Sequence, residues 1–98
     1  MYASVRIATA KAGRMAETIK KVNEGFVPII SQSPGFVTYY LVDIGNDKAV
    51  TVSIFNDQAG AEESGRRAQA WVSENLAPLM AGPLEVMVGE VAIHKSGK

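Results

Sequence analysis

The chain contains no cysteine. That removes disulfides, thiolate nucleophiles, iron–sulfur clusters and cysteine zinc sites from consideration. Its single histidine, His94, is the only side chain that titrates near neutrality without a perturbing environment. One histidine with scattered carboxylates at no ligand-like spacing supplies no zinc or iron signature. The glycines form no phosphate-cradling loop, so neither a metal nor any other cofactor is expected. Charge of one sign is also lacking: 10 basic and 10 acidic residues cancel, whereas nucleic-acid binders carry a basic excess or stripe. No apolar run approaches the roughly 20 residues of a membrane span, and the amino terminus lacks the basic-then-apolar layout of a signal peptide. The expectation is a cytoplasmic protein with neither nucleic acid nor membrane as partner.

What is present suits a small folded unit. The 98 residues give room for one domain, 1–98, and a hydrophobic share of 47% excludes intrinsic disorder. Tyr2 to Ala10 alternates β-branched Val5, Ile7 and Thr9 with Ser4, Arg6 and Ala8, a strand period. From Arg14 the period changes: Met15, Ile19, Val22 and Phe26 form a helical stripe. Pro28 lacks an N–H and clashes with the preceding turn, so the helix is expected to kink or restart before Ile29. Ser33-Pro34-Gly35 reads as a turn, Phe36 to Ile44 as a strand, and Gly45-Asn46-Asp47-Lys48 as a hairpin leading into Ala49 to Phe55. Asp57 is placed to cap a second helix. Its buried stripe is Ala61, Ala68, Val72, Leu76 and Leu79, with Trp71 near the edge; Pro78 and Gly82-Pro83 end it. Leu84 to Ile93 reads as the last strand, and His94 to Lys98 as a polar tail.

Two strand–helix–strand units joined by a hairpin make a split βαβ: an α+β, ferredoxin-like βαββαβ fold with an antiparallel sheet. Both helices then cover one sheet face. In the second strand Phe36, Thr38, Tyr40, Val42 and Ile44 share one side, and Val37, Tyr39, Leu41 and Asp43 the other. Neither side is wet enough for a solvated face, and an apolar patch of that size is most simply covered by a second copy in a two-fold homodimer.

The Pro34-Gly35-Phe36 turn, the long Phe36–Ile44 strand and the Phe55-Asn56-Asp57 ending of the third strand resemble those of the antibiotic-biosynthesis-monooxygenase-like domains. So do the helix carrying Ser64, Ala68 and Trp71, and Gly89-Glu90-Val91 in the last strand. These domains are dimeric α+β barrels, so the resemblance implies two facing sheets and a small pocket between sheet and helices in each subunit. The superfamily's activities include cofactor-free oxygenation of aromatic polyketides and haem degradation. The haem-degrading branch uses an Asn in the first strand and a Trp and a His on the second helix. Here Arg6 and Ser64 stand near the Asn and Trp positions and that helix has no His.

Candidate pocket residues are Arg6, Phe26, Tyr40, Trp71 and His94; which of them is catalytic is open. His94 needs a partner and a pocket to serve as a base; otherwise it is a surface residue. Trp71 either stacks on an aromatic ligand or anchors the second helix. Tyr39 and Tyr40 point to opposite faces. Phe26 lines a pocket mouth or is core. Arg6, a charge inside a strand, is either exposed, paired with a carboxylate such as Glu90, or a donor to an anionic or carbonyl-bearing ligand. Two functions compete: a cofactor-free monooxygenase acting on a small aromatic or enolisable substrate, and a non-catalytic module that binds a small ligand or serves assembly.

Overall fold

The computed structural model describes residues 1–97. Four strands, β1 (Tyr2–Thr9), β2 (Phe36–Gly45), β3 (Lys48–Phe55) and β4 (Glu85–Glu90), form one antiparallel sheet in the order β2-β3-β1-β4. Helical segments α1 (Met15–Lys21), α2 (Val27–Ser31) and α3 (Gln58–Asn75) cover one face. This is the α+β, ferredoxin-like βαββαβ arrangement expected from the order of elements. Among the described residues no helix is long and apolar enough to cross a membrane.

Local chemistry accounts for the element boundaries. Asn46 and Asp47 both take positive φ, near 57° and 58°, the geometry of a two-residue hairpin loop that matches strand twist. The Asp57 carboxylate accepts from the Gly60 N–H at 2.8 Å and so caps α3. Glu63, rather than Glu62, collects both arginines of the exposed helix face, at 2.6 Å from Arg66 and 3.3 Å from Arg67. These arginines hold the Glu63 carboxyl below the usual carboxylate range. β4 stops at Glu90 rather than running on to Ile93, because β1 begins beside it. Glu90 pairs with Tyr2, and the Val91 N–H makes a last bond to the Met1 carbonyl at 2.9 Å.

The break expected near Pro28 is a π-helical turn, Val22–Phe26, inserted between α1 and α2, with the Val27 N–H bonding five residues back to Val22. Pro28 sits in the first turn of α2, where a missing N–H costs nothing. The wide turn carries Gly25 beneath the Trp71 indole: a Cβ there would lie 2.7 Å from Trp71 Cζ2. Phe26 meets the same indole with ring centroids 5.5 Å apart and Tyr39 edge-on at 5.9 Å. Trp71 thus anchors α3 to the π turn.

A bulge at the start of β2 corrects the strand phase read from alternation. Phe36 pairs with Phe55 and Thr38 with Ile54, so Val37 is an extra residue and Phe36 lies opposite in phase to Tyr40. Phe36 packs edge-on against Phe55 at 5.9 Å, inside the core, whereas Tyr40 is 59% exposed on the other face. The helix-covered face therefore carries the cross-strand rows Tyr39–Ser53–Ser4–Val88 and Leu41–Thr51–Arg6–Val86. The uncovered face carries Tyr40–Val52–Val5–Met87 and Val42–Val50–Ile7–Glu85.

The Gly25 contact yields a stability test. Overpacking against a rigid, wedged indole costs about 1–3 kcal/mol, and the gain in helix propensity from Gly to Ala offsets roughly 1 kcal/mol of that at most. Gly25→Ala is expected to lower unfolding free energy in urea by about 1–2 kcal/mol. In a Trp71→Phe background the same substitution should cost nothing or stabilise.

Candidate functional site

α3 rests on β1 and β3 through small residues: Ala61, Ser64 and Ala68 on the helix, Ser4 and Ser53 beneath. β4, at the sheet edge beyond β1, has no helix above it, and its inward-facing Val86 and Val88 remain half exposed. The result is a cleft of about 730 Å³. Ser4, Arg6, Val86 and Val88 form its floor, Gly65, Gln69 and Val72 on α3 one side, and the 77–84 segment its end. This volume lies in the 300–1,000 Å³ range typical of small-molecule sites. Behind it, between sheet and helices, is an apolar cavity of about 50 Å³ bounded by Phe26, Tyr39, Leu41 and Trp71. That space holds a water-sized group, not an aromatic ring, for which a cavity of about 150 Å³ is a known precedent. Arg6, Val72, Met80 and Leu84 line both spaces and form the partition between them.

Arg6 is neither exposed nor paired with Glu90. It is 6% exposed, its row neighbours are Thr51 and Val86, and Glu90 stands opposite Tyr2 instead. Its Nη2 atom is fully buried without a hydrogen-bond partner among the described residues, and so are the hydroxyls of Ser4, Ser53 and Ser64. Burial pushes the guanidinium pKa down, and the only opposing influence is Tyr39. Burial likewise raises the Tyr39 phenol, against the Arg6 charge and the Thr51 hydroxyl. An arginine stays charged at neutral pH, so the floor of the cleft holds a cation with no counter-ion among the described residues. Leaving one there costs several kcal/mol even after relaxation.

The structure brings Arg6, Phe26 and Trp71 together around the partition and inner cavity. It does not bring Tyr40 or His94 there. Tyr40 points away from the helices because of the β2 bulge, and Tyr39 occupies the inward position. His94 lies in the exposed segment after β4, its Nε2 3.3 Å from the Ser96 hydroxyl. Sequence reasoning passed over Tyr39 as a site residue, and over Ser4 and Ser53. Their signal was the parity that puts Ser4 and Arg6 on one face, with Ser53 their neighbour across the ladder. Among the described residues no three His, Asp or Glu side chains converge as metal ligands would.

No protein-family model and no curated protein sequence matches the chain. Solved structures do match in shape. A protein of unknown function from Nitrosomonas europaea superposes with TM-score 0.85 at 19% identity, covering 99% of this chain and 94% of that one. A second Nitrosomonas europaea protein, assigned as an antibiotic biosynthesis monooxygenase, gives 0.77 at 15% identity over 95% and 100%. SnoaB from Streptomyces nogalater, a cofactor-independent oxygenase solved as a mutant, gives 0.75 at 17% identity over 95% and 94%. The chain has the fold of the antibiotic biosynthesis monooxygenase domains.

An uncompensated buried cation predicts its own relief. Arg6→Met, similar in length and apolar, is expected to raise the unfolding free energy of the ligand-free protein by about 1–3 kcal/mol in urea denaturation. Destabilisation of that size would mean that the guanidinium holds the fold together.

Proposed function

We propose that the protein is a homodimeric, cofactor-independent oxygenase of small aromatic or enolisable substrates, with the cleft between α3 and β4 as the substrate site. The observation that carries this reading is Arg6, a buried cation without a partner among the described residues, in the floor of a ligand-sized, largely apolar cleft. Oxygenation without a cofactor proceeds from a substrate carbanion or enolate, and a fixed cation in a low-dielectric site stabilises such an oxyanion. The sum is balanced by the substrate alone. A methylene carbon loses two hydrogens and takes one oxygen atom of dioxygen as a carbonyl, and the other oxygen leaves as water. Val86, Val88 and Val72 contact the apolar body, and the shared fold with SnoaB supports the same reading.

The uncovered sheet face supports dimerisation. Tyr40, Val42, Ile44 and Met87 are each about half exposed or more, and the rows between them carry Val52, Val5, Val50 and Ile7, with Glu85 at the edge. A contiguous apolar surface of this kind marks an interface. A second copy meeting it face to face in two-fold symmetry completes the hydrophobic layer that one chain leaves open.

The competing function, a binding module without turnover, is favoured by the absence of a histidine or buried carboxylate beside Arg6 among the described residues. Dioxygen uptake with a panel of enolisable hydroxyaromatics separates the two. Turnover is expected in the wild type, insensitive to chelators, and about 100- to 1,000-fold slower in Arg6→Met, the usual loss for one oxyanion-stabilising donor. Tight binding with no dioxygen consumed would select the binding module. Light scattering is expected to give twice the 10.5 kDa chain mass, and Tyr40→Asp with Val42→Asp to give the monomer. A wild-type monomer at micromolar concentration would refute the dimer.

A further inference from the structure

The floor of the cleft holds a cation and a hydroxyl, with no anion beside them among the described residues. Among the described residues Arg6 Nη2 and the Ser4 hydroxyl are buried and unpartnered, and the two residues line the cleft. The helix above carries Gly65 at this point, where a Cβ would lie in ordinary van der Waals contact with Nη2, at 3.5 Å. Among the described residues no carboxylate faces Arg6 from any element packed against it. Leu41, Thr51 and Val86 share its row, and α3 presents Ala61, Ser64 and Ala68 to the sheet. Charged residues reach only the rim, where they are exposed and occupied. Arg66 is held by Glu63 at 2.6 Å, and Glu62 accepts from Gln58 at 3.1 Å.

Among the described residues no proton acceptor lies beside Arg6. His94 lies outside the cleft in the exposed tail, and burial keeps the Tyr39 phenol protonated. A neutral ligand that had to be deprotonated inside would find no base beside Arg6, and would leave the buried charge uncompensated. A ligand ionised in solution brings the compensating charge with it. The planar guanidinium fork matches a planar, delocalised pair of oxygens, which a point charge does not.

We infer that the cleft selects ligands that arrive as planar organic oxyanions with an apolar body, a carboxylate or its vinylogous enolate counterpart, the charged end on Arg6 and Ser4 and the body along Val86 and Val88. The inference rests on the cleft being the ligand site, as proposed above, and it narrows the substrate class to acids already ionised at neutral pH.

Calorimetric titration of the whole protein tests it without reference to turnover. The probes are 2-hydroxy-1,4-naphthoquinone, ionised at neutral pH, against its neutral 2-methoxy ether, and 2-naphthoate against 2-naphthamide. At least one anion is expected to bind ten or more times tighter than its neutral partner; preference for the quinone anion or the carboxylate identifies which oxyanion the site takes. Arg6→Met is expected to abolish the preference and Arg6→Lys to weaken it, whereas Glu62→Gln leaves it intact. Equal binding of anion and neutral partner, or a preference surviving in Arg6→Met, overturns the inference, and so does a tenfold loss in Glu62→Gln. Binding of neither anion also overturns it. Anion-selective binding without dioxygen uptake would remove the oxygenase and leave this inference standing. Turnover of neutral substrates with equal binding would do the reverse.

Discussion

α3 lies close on β1 and β3 because the residues that face each other there are small. Ala61, Ser64 and Ala68 descend onto Ser4 and Ser53, and larger side chains on either surface would lift the helix. That approach has two consequences. It seals Arg6 beneath the helix instead of letting its long side chain reach solvent, as exposed strand arginines do. It also commits α3 to the centre of the sheet, so that β4 at the edge is left without a cover. The buried charge and the open cleft are thus products of one packing arrangement, and they meet at the same place.

The first helical segment is shaped by the same contact from the other side. With α3 fixed, Trp71 projects towards the α1–α2 segment, where an ordinary helical turn with a side chain at residue 25 would collide with it. The π turn and Gly25 together make room, and Pro28 starts the next helical turn where its missing N–H is harmless. π turns recur at functional sites because they re-aim side chains without ending a helix. Here the re-aimed residue is Phe26, which reaches the inner cavity between Tyr39 and Trp71.

Much of this was legible in the residues. Alternation around Val5 and Ile7, the 3.6-residue stripe through Met15, Val22 and Phe26, the hairpin at Asn46-Asp47 and the cap at Asp57 are local signals, and each produced the element expected. What escaped depends on partners distant in sequence. The bulge at Val37 is visible only once Phe36 is seen to fall into the core opposite Phe55, and it reverses Phe36 against Tyr40. β4 ends at Glu90 because β1 supplies no further neighbour, which no property of Val91 to Ile93 announces. Arg6 is the sharpest case. Exposure, an ion pair with Glu90 and ligand contact were all compatible with its place in the strand. The register, which seats Glu90 opposite Tyr2, and the height of α3 decide against the first two.

The fold is shared with a protein of unknown function and with a cofactor-independent oxygenase, and a fold does not dictate chemistry, so the distinguishing power lies in what each chain plants in its cleft. This chain plants a cation and hydroxyls, and keeps its one histidine in the exposed tail. A site that moves protons needs a group titrating near the working pH. A site that only holds negative charge needs the opposite, a group that never gives up its proton, walled by low dielectric so that its field is not screened. Arg6 meets that second requirement. Its burial is costly to the folded state, but a ligand oxyanion would convert that cost into binding selectivity, because only a charged ligand removes it.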